Sequence, residues 1–190
     1  MMGIGSNANF SKIQDQDNQE SFRYLTELGA DSMAARFDQH PKSISIARIL
    51  EQQRPSDFPV DGKPDKYDEG RISPFETSIW QTKATIIRVQ LKDHGEIWMV
   101  LEGKPGEKVI AVSPDLLQED PLSRVSKYAK EIESTHTMLM SKLNPTESLT
   151  ECNYSVNLIS LGFFGPALKG NWIQNGASLQ PLLKVTFTAG

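Results

Sequence analysis

Residues Trp80–Leu101 read WQTKATIIRVQLKDHGEIWMVL, two runs joined by Asp93-His94-Gly95. In the first run Thr85, Ile87, Val89 and Leu91 take one side of a two-residue alternation, and Lys83, Arg88, Gln90 and Lys92 mostly the other. This is the pattern of a half-buried strand. Ile86 breaks it. Gly95 supplies the positive φ that a three- to five-residue hairpin loop needs, so the apolar run Ile97–Leu101 is expected to return antiparallel.

Downstream, Lys104-Pro105-Gly106 turns the chain, and Lys108–Val112 makes a third strand closed by Ser113-Pro114. Asp120-Pro121 starts a helix, with a capping carboxylate followed by a proline that needs no amide hydrogen bond. Val125, Tyr128, Ala129, Ile132, Leu139 and Leu143 then keep one apolar face until Asn144-Pro145. A fourth strand runs from Tyr154 to Phe163, broken by Gly162 and Gly165-Pro166, and a polar loop through Asn175-Gly176 leads to a fifth, Leu179–Phe187. Three strands, a helix and two strands is the order of the OB-fold. The expectation is a β-rich α+β fold: a five-stranded OB-fold-like barrel over 74–190, with one helix between strands three and four, able to fold alone.

Ahead of it, residues 1–53 read as a polar, partly helical N-terminal arm. Met1–Gln19 holds few large apolar residues and cannot bury enough surface to offset its ordering entropy. Phe22, Leu25, Leu28, Met33 and Ala34 recur near helical spacing, and Ile44, Ile46, Ala47, Ile49 and Leu50 form a second narrow apolar face after Pro41. Residues 54–73 carry Pro55, Pro59, Pro64, Gly62 and Gly70 without periodicity, the composition of a linker.

The chain has 190 residues, 38% hydrophobic and 23% charged, ordinary for a soluble globular protein. Its net charge of −4 lacks the basic footprint of a protein that coats nucleic acid. The acidic excess sits in residues 1–78, with 9 Lys/Arg against 13 Asp/Glu. Cys152 is the single cysteine, which excludes an intrachain disulfide and a Cys-based zinc site. The N-terminus has neither a basic n-region nor an apolar h-region, and no 18-residue apolar run occurs, so a cytoplasmic protein without membrane attachment is expected.

Arg71–Trp80, Glu96–Leu101, Val109–Asp115, Gly162-Phe163-Phe164 and Asn175–Leu182 together resemble a family of uncharacterised bacterial proteins, many of them small and secreted, whose barrel is of the OB class. The resemblance spans Arg71 to Phe187. It implies a histidine on strand two, where this chain has Trp98, and another before the strand-five proline, where it has Gln180. Both positions are changed and the secretory signal is replaced by the arm. The resemblance therefore implies a recruited barrel and transfers no activity.

Motifs for catalysis are lacking. Glu131 and Glu133 are two apart on a helix and point to different faces. His40, His94 and His136 have no second ligand at metal spacing. Gly103–Gly106 and Gly165–Gly170 do not fit phosphate-loop spacing, and the compact part holds two arginines, Arg88 and Arg124, too few for a nuclease of the OB type. No catalytic residue, metal or cofactor is expected. Two functions follow. The first is a structural or protein-interaction subunit whose arm docks on a protein partner or another copy through Phe22, Leu25, Ile46 and Leu50. The alternative is a single-stranded nucleic-acid-binding module using Trp98, Arg88, Lys83 and Lys108.

Overall fold

The computed structural model describes residues 26, 28–58, 70–117, 126–165 and 175–189. Strands β1 (Lys42–Ser43), β2 (Ile79–Leu91), β3 (Ile97–Glu102), β4 (Lys108–Ser113), β5 (Thr150–Phe164) and β6 (Ala177–Phe187) form one mixed sheet, in the order β1-β2-β3-β4-β6-β5. Because β5 also pairs with β2, hydrogen bonds run as a ring through β2, β3, β4, β6 and β5. The short β1 lies parallel to β2 outside that ring. Helix α1 (Ile46–Leu50) precedes the ring, and α2 (Ala129–Leu143) lies between β4 and β5.

The hairpin forms where its sequence places it, with Gly95 at φ 81° and His94 also at positive φ, 64°. Which residues of β2 face inward differs from simple alternation. The register shifts between Ile86 and Arg88 in the ladders to both neighbours. Before this bulge the even residues Trp80, Ala84 and Ile86 pack inward; after it Val89 and Leu91 do. Thr85 and Ile87, expected on the buried side, therefore face out, and the break at Ile86 is the mark of the bulge.

Gly162, expected to end a strand, lies within β5. A Cβ there would stand 2.5 Å from the Phe75 carbonyl oxygen, so glycine is needed for close approach of the chain and not for a turn. The Asp120-Pro121 helix start and Val125 lie outside the described residues. From Tyr128 onward the helix turns its expected face inward, with Tyr128, Ile132 and Leu139 buried, and stops at Asn144 in the left-handed conformation.

The largest change from expectation concerns the N-terminal segment. Ser45 caps α1 by accepting a hydrogen bond from the Arg48 amide, and the one-and-a-half turns that follow sink Ile46 (1% exposed) and Ile49 (0%) into the core shared with Ile86, Leu101 and Val109. Asn175 Nδ2, at the start of β6, donates to the carbonyls of Ile49, Leu50 and Gln52, satisfying the open end of the helix. Leu28 and Ala34 enter a second cluster with Ile79, Tyr128 and Ile132. Residues 28–58 thus pack on the ring instead of standing off it. A five-residue helix leaves no periodic repeat from which that burial could be read.

Candidate functional site

Outward residues of β2, β3 and β4 line up in two rows. Gln90 pairs with Trp98 and Trp98 with Val112, and since Ala111 is beside Leu179, Val112 is beside Gln180. The next row is Arg88, Val100, Ile110 and Ser178. Val100, Ile110 and Val112 make an apolar floor on this outer face, and Ile87 and Trp98 pack over it, half-buried. Trp98 and Gln180, the two positions where the resemblance implies histidine, share one row two strand spacings apart, about 10 Å. Gln180 is buried.

The polar surround of Trp98 is fully engaged. Its indole Nε1 donates to Glu96 Oε2 at 2.9 Å, and the Lys92 ammonium stands 5.2 Å from the ring centroid. Gln90 Nε2 donates to the Glu147 carbonyl at 2.6 Å. Arg88 meets Glu151 at 3.3 Å and Lys108 meets Glu102 at 3.9 Å. Arg88, Lys92 and Lys108 thus each have a carboxylate or an aromatic ring against them. The β2–β3 turn is pinned to the loop after β4, since a Cβ on Gly95 would come within 2.6 Å of Asp115 Oδ2.

Of the residues named for nucleic-acid binding, Trp98, Arg88 and Lys108 come together here. Lys83 does not: it pairs with Asn157 on β5, seven residues from Gln90, about 20 Å along the strand. Of those named for partner binding, Phe22 and Leu25 lie outside the described residues. Ile46 is buried and Leu50 is half-buried, both packed with the chain's own core.

Sequence reading missed a buried ionic clamp. The Arg71 guanidinium, fully buried, contacts Asp31 at 2.5 Å and donates to the carbonyls of Thr26 (2.7 Å) and Glu76 (3.1 Å). The Glu76 carboxylate accepts from the amides of Ile72 and Phe164, both at 2.7 Å. These bonds join the N-terminal segment, the entry to β2 and the end of β5, a structural role. The only advance signal was the density of polar residues in Arg71–Ser78. His136, also buried, turns Nδ1 to Ser113, 3.3 Å from its carbonyl and 3.4 Å from its hydroxyl. Burial pushes the Cys152 thiol up from its ordinary value, which makes it a poor nucleophile.

Among the described residues no three His, Cys, Asp or Glu side chains converge to hold a metal ion. No helix among them is long and apolar enough to cross a membrane. Compared with family models and with curated proteins, the chain matches none.

Proposed function

We propose that the five-strand ring is an OB-fold barrel and that the chain is a non-enzymatic structural or protein-interaction subunit. Its contact surface is the outer face of β2, β3 and β4 around Trp98. The strand order and the placement of α2 between β4 and β5 support the barrel reading, and in an OB barrel the second and third strands carry the binding face. The observation that carries the function is the pairing of the cations around Trp98: Arg88 with Glu151, Lys108 with Glu102, Lys92 over Trp98. A phosphate groove needs cations turned toward the ligand and an open aromatic face for bases to stack on. A protein contact needs an aromatic anchor with a rim of both charges, which half-buried Trp98 and its neighbours supply over the buried Val100, Ile110 and Val112.

The arm reading changes accordingly. Ile46 and Leu50 serve the chain's own core, so docking through them is replaced by docking through the sheet. Co-purification of wild type and Trp98→Ala from the native source tests this. Trp98 is half-buried, so the variant is expected to keep the fold and lose bound protein, and identical partner sets would refute the assignment.

A further inference from the structure

Inside the ring, two hydroxyls stand without a partner. Trp80, Ala84 and Ile86 of β2 pack into the main core, and Thr82, between them on the same face, is 1% exposed. On β5, Val156 and Leu158 enter that core, and Ser160, 0% exposed, follows them on the same face, opposite Trp80. Thr82 Oγ1 and Ser160 Oγ have no hydrogen-bond partner among the described residues. A third such atom, Asn157 Oδ1, belongs to the opposite face, level with Lys83. Because Thr82 pairs with Leu158 and Ser160 with Trp80, the two hydroxyl residues are diagonal neighbours across one ladder, about 7 Å apart at Cβ. A buried hydroxyl without a partner is costly, and here two stand side by side.

We infer that the ring encloses one ordered water that bridges Thr82 Oγ1 and Ser160 Oγ. Two O–H···O bonds of about 2.8 Å span up to about 5.6 Å, a gap within reach of two hydroxyls that each extend from Cβ toward the other. Each hydroxyl can donate and accept, so the water finds two partners whichever way its hydrogens point. Room for it follows from size: Thr82 and Ser160 are small side chains in rows otherwise filled by Trp80, Leu158, Leu182 and Val185. Ser160 also lies between two register shifts in the β5–β6 ladder, each of which sets a residue of β6 out of regular pairing. The water thus joins β2 to β5 where the neighbouring ladder is irregular.

A double-mutant cycle on the full chain tests this, read by urea denaturation. Thr82→Val and Ser160→Ala each remove one hydroxyl with little change of shape. Either alone leaves the water with one partner and should lower the folding equilibrium constant about 5- to 30-fold. The double variant should lose no more than the less stable single variant, since neither hydroxyl is then left in need of a partner. In wild type a long-lived water should show nuclear Overhauser contacts to the Thr82 methyl group, and Ser160→Ala should abolish them. Single variants more stable than wild type would mean that the hydroxyls are buried dry, and losses that add would mean that each bonds elsewhere; either result overturns the inference. Water contacts that are absent from wild type, or that persist in Ser160→Ala, overturn it as well.

Discussion

Arg71 shows how one residue ties distant segments together. Its guanidinium is buried, and its partners come from the N-terminal segment and from the turn before β2. Removing it takes a donor from the Thr26 and Glu76 carbonyls and from the Asp31 carboxylate. Arg71→Ala should therefore lose about 3 kcal/mol, the lower end for a broken buried pair because Asp31 keeps some contact with water. Urea denaturation reads this, and a loss under 1 kcal/mol would mean that Asp31 is solvated in the wild type as well.

Tyr128 gives a pH signature at the same scale. Burial pushes its phenol up from the ordinary value, and its hydroxyl donates to the Ala34 carbonyl at 3.0 Å. The folded state thus holds the phenolic proton to higher pH than the unfolded chain does. That stability is fully present below the unfolded value near 10 and is lost as pH rises through the folded one. Tyr128→Phe should flatten the decline above about pH 10, and an unchanged alkaline profile would assign the decline to other groups. Tyr128 was legible as part of the apolar helix face, but its bond to Ala34 was not, nor was the role of Arg71: a single Arg or Tyr has the same local signature whether its partner is solvent or a segment 40 or 94 residues away. Ile86 was legible as an anomaly, because two apolar residues in succession within an alternating run are what a bulge leaves behind.

Elements with a repeat were legible and those without were not. The hairpin, the third strand and α2 carry several periods of their pattern, and their positions follow from it. Pro181 within β6 argues against a strand by local rules, yet it sits where the β5–β6 register shifts between Ser160 and Gly162, the setting in which a strand tolerates proline. Helix α1 is five residues long, and its place was hidden because its stability comes from burial and not from propensity. Ile49→Ala should consequently cost about 2–5 kcal/mol, as for any buried isoleucine truncated in a core. Asn175→Ala should cost about 1–3 kcal/mol by leaving helix-end carbonyls without a donor. Thermal melts of the two variants check both, and wild-type stability in Ile49→Ala would show that α1 is held loosely.

At the scale of the whole molecule, residues ahead of the expected boundary at 74 take part in the core. Leu28, Ala34, Ile46 and Ile49 supply buried surface to the two main clusters of the ring. A chain starting at Pro74 would expose that surface and should lose cooperative unfolding. A sharp transition near the full-length melting temperature would restore the boundary at residue 74.

The proposed use of the outer sheet face, for protein and not for nucleic acid, is addressed directly by one titration. Labelled oligothymidylate is titrated at low and moderate salt into wild type and into a variant carrying Glu96→Gln, Glu102→Gln and Glu151→Gln. These changes remove the carboxylates beside Trp98, Lys108 and Arg88 at constant shape. Wild type should show no saturable binding, and the variant should gain it, with a log–log salt slope of about −2 if three cations turn to phosphates. Saturable, steeply salt-dependent binding by wild type, unimproved in the variant, would contradict the assignment of this face to a protein partner.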